Sequence, residues 1–245
     1  HFHRGEYQQA REFADRALAL KENYLDPLLL FGHVAAREEK YADARRAYEL
    51  YLTTQAKYDP SRETDNLILL HVDSRVSAWY SLGMIAELEG DYDRAERFYT
   101  QIIQVEPEYL DINAHLGRLA IRNDDSRRAL EYFQKQVKCR PESIEGYRQL
   151  GQLYYVQSLF VQAEEIFRHA LTVTPEDTAC LIGLGKVLGK LGKFEEAIAL
   201  LQSVTVTGSS MVLARRELAS VFFHAGQYSQ AVELLKALTA SADSE

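Results

Sequence analysis

Cysteine is nearly absent from this chain, with two in 245 residues. That excludes a disulfide framework as the source of stability. Cys139 and Cys180 read as small buried apolar residues, not as a bridged pair. Positive charge is in deficit: 28 Lys and Arg stand against 36 Asp and Glu, a net charge of −8. Nucleic-acid phosphates require a basic surface, so no nucleic-acid partner is expected. Long apolar runs are missing as well. None approaches the roughly 18 residues that a membrane span needs, and no signal peptide is visible. The chain starts at His1, in mid-pattern, so it is expected to be part of a longer protein, and its compartment is left open.

Chemistry-bearing patterns are equally scarce. The seven histidines include no pair at i, i+4, and no cysteine lies near enough to complete a zinc knuckle. His1 and His3 belong to an end expected to fray. The stretch GLGKVLGKLGK, Gly183 to Lys193, looks like a phosphate loop but lacks the required glycine spacing before Lys-Ser/Thr. Serines such as Ser158 and Ser209 sit at turns without an identifiable base, so neither nucleophilic nor acid–base catalysis is expected. The sequence therefore implies no enzyme, no cofactor and no metal site.

What is present is a period. Pro107, Pro141 and Pro175 stand 34 residues apart, as do Gly83, Gly117, Gly151 and Gly185. Ala95, Ala129, Ala163, Ala197 and Ala231 keep the same step. A period in this range marks stacked supersecondary units. Glycine inside a helix costs roughly 1 kcal/mol against alanine, so a recurring one needs a packing reason. Each small residue is followed twelve positions later by alanine, from Gly32 and Ala44 to Ala219 and Ala231. The expectation is two antiparallel helices that approach closely where the small residues face each other. Gly90, Gly192 and Gly226 suit the left-handed turn between them, with Asn123 in that role in its own repeat. Around the small pair lies an apolar stripe, for instance Tyr147, Leu150 and Tyr154, then Phe160, Phe167 and Ala170. The proline that follows can start the next helix.

These residues resemble the tetratricopeptide repeat family. Residues 144–177 match its pattern throughout, with Tyr147, Leu150, Gly151, Tyr154, Ala163, Phe167, Ala170 and Pro175. Residues 76–109 match nearly as well, through Trp79, Leu82, Gly83, Ala95, Tyr99 and Pro107. Repeats at 25–58, 110–143, 178–211 and 212–245 depart in places. Asn113 and Arg215 replace the bulky helix-A residue, and the last repeats lack a closing proline. Residues 1–24 read as a partial repeat, with Gly5, Tyr7 and Ala10 in phase. The resemblance implies an all-α fold, a right-handed superhelical solenoid of antiparallel helix pairs that runs as one array over 1–245.

One insertion, 59–75, breaks the register. Pro60, Ser61, Thr64, Asp65 and Asn66 read as a loop. Asp65 is expected to cap a short helix through Leu70, and Asp73 or Ser74 to cap the following helix A. The apolar cluster Leu67, Ile68, Leu69 and Leu70 needs a cover, either the neighbouring repeats or a partner. Val232, Leu235 and Leu238 are expected to form an uncapped end. Self-association through that end or through Leu67–Leu70 would follow from such exposure.

The remaining signal is surface charge. A second helix-A stripe is expected to face the inside of the superhelix. It includes Tyr80, Met84, Arg118, Arg122, Arg148, Gln152, Tyr155, Lys186, Lys190, Arg216 and Phe223. From residue 110 onward six Lys or Arg on this stripe stand against Asp111 and Glu145, opposite in sign to the chain as a whole. Such a groove suits an extended, acidic protein segment. Met84, Arg118 and Gln152 stand where the family's chaperone-binding clamp relies on asparagine, so that mode is not expected. The sequence thus implies a non-catalytic protein-interaction scaffold. Its alternatives are a regulatory or substrate-recruiting arm of a larger enzyme, and an assembly factor for a secreted or envelope complex.

Overall fold

The computed structural model describes residues 9, 11–16, 19, 25–56, 70–204 and 209–242. Among these residues every regular element is a helix. Helices α1 (Leu25–Arg37), α2 (Tyr41–Ala56), α3 (Leu70–Glu89) and α4 (Tyr92–Val105) come first. Then follow α5 (Ile112–Arg122), α6 (Ser126–Cys139), α7 (Ile144–Val156) and α8 (Phe160–Val173). The last are α9 (Thr178–Lys190), α10 (Phe194–Ser203), α11 (Ser209–His224) and α12 (Tyr228–Ala242). The chain divides into two compact units, residues 1–112 and 113–245. Within each, helices pack in consecutive pairs, which makes an all-α helical-repeat array. Among the described residues, no helix is long and apolar enough to cross a membrane.

The turns follow the 34-residue step. A left-handed backbone recurs at Glu39, Gly90, Asp124, Ser158, Gly192 and Gly226, with φ from 57 to 79°. In its repeat Asp124 takes this position, not Asn123, because the step from Gly90 lands on residue 124. Asparagine and aspartate both tolerate this conformation, so residue type alone cannot choose between the neighbours. Asp91, Asp125 and Asp177 then cap α4, α6 and α9, each carboxylate accepting a backbone N–H three residues on. Such a cap satisfies one of the orphan donors at a helix start.

The small residues act differently from the sequence expectation. Gly32, Gly83, Gly117, Gly151 and Gly185 each meet the bulky residue sixteen positions on. A Cβ added at Gly83 would lie 2.2 Å from the Tyr99 ring, and one at Gly117 would lie 2.3 Å from Phe133. Phe167 is held from two sides. A Cβ on Gly151 of α7 would meet its ring at 2.7 Å, and one on Gly183 of α9 at 2.6 Å. The glycines are thus flat seats for large side chains, while Ala95, Ala129, Ala163 and Ala197 are each fully buried. Gly146, in the first turn of α7, is buried against Gln136 and Val137.

Two further expectations change. Helix α3 starts at Leu70 and runs unbroken through Asp73 and Ser74, so neither caps a helix there. Asp65 and the segment Leu67 to Leu69 lie outside the described residues. Gly5, Tyr7 and Ala10 also lie outside them, whereas 11–16 is helical and Ala14 is buried. Cys180 is buried and Cys139 only partly so; both are free thiols.

Candidate functional site

In the first unit, Tyr80 and Met84 both lie on α3. Tyr80 packs edge-on against Tyr109, with ring centroids 5.6 Å apart, and Met84 is exposed. Beside them, α1, α2 and α3 share a polar contact. The Tyr48 hydroxyl lies 2.8 Å from His33 Nδ1, and Ser77 Oγ lies 3.5 Å from Nε2. Burial pushes the Tyr48 phenol up to about 12 against an opposing hydrogen bond from Ser81. Tyr48 therefore stays protonated, and its hydroxyl shares with Nδ1 a hydrogen bond whose direction follows the histidine tautomer. Burial first, then the charge of Arg37, holds the His33 pKa below its ordinary value.

A pH dependence follows. As pH falls through the ordinary imidazole range, the unfolded chain takes a proton that folded His33 resists. This stabilising contribution is complete above pH about 6.5 and declines as pH falls towards the folded-state pKa. His33→Asn keeps an acceptor near the Nδ1 position without titrating. Melting temperatures measured between pH 7.5 and 5.5 should therefore fall more steeply for wild type than for this variant. Parallel curves would remove His33 as the cause.

In the second unit the predicted stripe carries its own counter-charges. Arg118 Nη1 donates to Glu145 Oε1 at 3.1 Å, and its Nη2 reaches His115 at 2.8 Å. Arg148 Nη1 lies 3.4 Å from the other Glu145 oxygen. Its Nε donates to Asp177 Oδ1 at 3.1 Å while Nη2 donates to Oδ2, a two-pronged pair. Asp177 also caps α9 and is only 6% exposed at its side chain. Burial alone would raise its pKa, but the hydrogen bonds from Arg148 and the Cys180 backbone outweigh this and hold it low. A relay of alternating charge thus runs from α5 through α7 to the start of α9. Arg118 and Arg148 are built into the framework, so they are not free groove cations as the stripe suggests. Arg122 is exposed at the end of α5.

Farther along, the pairing is incomplete. Lys186 Nζ lies 3.8 Å from Glu217 and 4.9 Å from the centre of the Tyr155 ring. Arg216 reaches the same Glu217 at 3.4 Å but is 63% exposed. Lys190 is exposed. Two recesses open between these groups. One, of about 240 Å³, is lined by Gln152, Ala179, Ile182, Leu213 and Arg216. The other, of about 70 Å³, is lined by Tyr155, Gly189, Lys190, Ser220 and His224. Lys186 and Glu217 form the wall common to both. Phe223 stands apart from these two. It packs on Tyr228, with ring centroids 5.5 Å apart, and lines an apolar recess with Ala219, Val232 and Leu235. Val232 and Leu235 are each about half exposed.

The charge count along the stripe omits Asp177 and Glu217. Asp177 precedes its helix, and its position as a cap for α9 is the one sequence signal it carries. Glu217 is adjacent to Arg216 and so one residue out of phase.

Two family models, both described as tetratricopeptide repeat, match the chain. One covers residues 29–107 and 182–245, and the other covers 86–153. No curated relative matches by sequence. Among solved structures, the C-terminal part of a repeat-containing protein from Cytophaga hutchinsonii is similar at 17% identity and a TM-score of 0.69. The match covers 96% of this chain and 90% of that one. PilW, a type IV pilus biogenesis factor, has the same TM-score at 17% identity, over 90% of this chain and 94% of that one. YrrB, described as a repeat protein with an unusual peptide-binding site, has a TM-score of 0.60 at 15% identity, over 92% and 99% of the two chains.

Proposed function

This chain belongs to the tetratricopeptide repeat family, and on that premise we propose that it is a non-catalytic scaffold holding an extended protein segment against the helix-A face of residues 113–245. Stacked repeats present long surfaces and little buried chemistry, which suits them to binding. The observation that carries the reading is the pair of adjoining recesses between α7, α9 and α11. The larger combines an aliphatic lining with a few polar groups, and the smaller is rimmed mainly by polar and charged side chains, a make-up that suits recognition. The same fold occurs in a pilus biogenesis factor and in a repeat protein with a peptide-binding site. Fold alone therefore does not choose among scaffold roles, and an assembly factor or a recruiting arm of an enzyme would use the same surface.

The test is selection of binders from a random dodecamer peptide library displayed on phage. Peptides recovered with the wild-type chain should bind at least about tenfold more weakly to the double variant Lys190→Glu with Arg216→Glu, a loss of about 1.4 kcal/mol. Their binding should also weaken as salt rises, because exposed charges are screened. Both positions are exposed, so helix content and melting temperature should stay unchanged. Selected peptides that bind the double variant equally well would move the site elsewhere.

A further inference from the structure

Charge along the helix-A face of the second unit is unevenly balanced. Around the relay, Arg118 and Arg148 face Glu145 and Asp177, two against two. Around the two recesses, Lys186, Lys190 and Arg216 share one carboxylate among the described residues, Glu217. Apart from the exposed Arg122 at the end of α5, the positive surplus on this face lies around the recesses, on a chain whose net charge is −8. Lys186 is held over the Tyr155 ring, an arrangement that keeps an ammonium in place without neutralising it. The smaller recess is rimmed by Lys186, Lys190 and His224. His224 Nδ1 lies 2.7 Å from the Ser220 carbonyl and donates to it, which leaves Nε2 as its remaining polar atom. The larger recess has an aliphatic lining of Ala179, Ile182 and Leu213.

Resting on the proposed scaffold role, we infer that this face reads a two-residue code in an extended segment: an aliphatic side chain in the larger recess and a carboxylate in the smaller one. Residues i and i+2 of an extended chain project to the same side, which suits two recesses that share a wall. The aliphatic group supplies burial and the carboxylate supplies register. A segment with the carboxylate alone would find an exposed Lys190 and a Lys186 that already has Glu217 nearby, and such solvent-screened pairs contribute little. The code is therefore conjunctive. It selects acidic segments that carry a branched or linear aliphatic residue two positions away, not acidic segments in general.

The probes are capped heptapeptides with a central Leu-Ser-Glu or Glu-Ser-Leu in a Ser/Gly frame, measured by calorimetric titration. One of the two orders should bind, and changing its Leu to Ala or its Glu to Gln should weaken binding at least about tenfold. Lys190→Gln in the protein should abolish the preference for Glu over Gln and leave the preference for Leu over Ala. Leu213→Ser should do the reverse. This double dissociation is what a merely sticky or merely basic surface would not give. If neither peptide binds, or if both protein variants shift both preferences equally, the code is overturned. Phage-selected peptides that still depend on Lys190 and Arg216 would then leave the scaffold reading standing without it.

Discussion

Gly151→Leu should lower the melting temperature by roughly 6–12 °C. The seat at Gly151 leaves no room: a Cβ would already lie 2.7 Å from two carbons of the Phe167 ring. The ring cannot retreat, because Gly183 of α9 approaches it as closely from another side. Phe167 is 3% exposed and belongs to the main core of the second unit. Overpacking in a core costs typically about 1–3 kcal/mol, and more where nothing can yield. We expect about 3 kcal/mol here, and each kcal/mol moves the midpoint of a domain this size by roughly 2–4 °C. Gly146→Leu should also destabilise, by about half as much, because its neighbour Gln136 is a longer and more adaptable side chain. Combining Gly151→Leu with Phe167→Ala should cost less than the sum of the two, since the cavity accepts the new side chain. Strict additivity, or a midpoint within about 1 °C of wild type for Gly151→Leu, would mean that ring and glycine do not meet.

Arg148→Glu should be the most damaging change on the helix-A face, although Arg148 reads from sequence as a replaceable groove cation. The substitution leaves Asp177 without its two-pronged partner and places a third carboxylate beside Glu145 and Asp177. Breaking a buried pair from one side costs about 3–5 kcal/mol. Arg148 is 37% exposed, so solvent screening reduces this to about 2–3 kcal/mol. Arg148→Lys should fall between, because an ammonium keeps the charge but not the fork. The linkage has a definite sign. Asp177 has a folded pKa below its ordinary value of 3.8, so its contribution is present above that value and is lost as pH falls through the folded pKa. Denaturant midpoints at pH 7 measure the loss, and near pH 2 the gap between wild type and Arg148→Glu should narrow. An unchanged midpoint at pH 7 would show that the pair contributes nothing.

Much of the fold is legible because it is local and repeated. Leu150 and Gly151 have counterparts in phase in other repeats, and a 34-residue step admits few architectures. Turn positions can be placed to within one residue, which is the distance between Asn123 and Asp124. The departure at Asn113 is visible in the sequence, but its compensation is not. Asn113 and Gln136 are both buried, and Gln136 accepts the Ala114 N–H at 3.3 Å, so polar side chains occupy core positions there. The 22 positions between Ala114 and Gln136 hide such a contact.

What the sequence determined by itself is the set of units: helix pairs and their turns. These depend on contacts within about one repeat, where spacing translates directly into helical phase. Tertiary structure alone decided what each residue meets across a helix boundary. Glycine announces close approach, but not that the Phe167 ring is what lies nearest to Gly151. A stripe of six cations can be counted, but their partners Asp177 and Glu217 lie out of phase with it, one before a helix and one beside Arg216. Net charge sums over positions, whereas electrostatic function depends on which ions are within a few ångströms of one another. That distance is a property of the packed chain, and it ties Arg118 and Arg148 to carboxylates while it leaves Lys190 and Arg216 exposed.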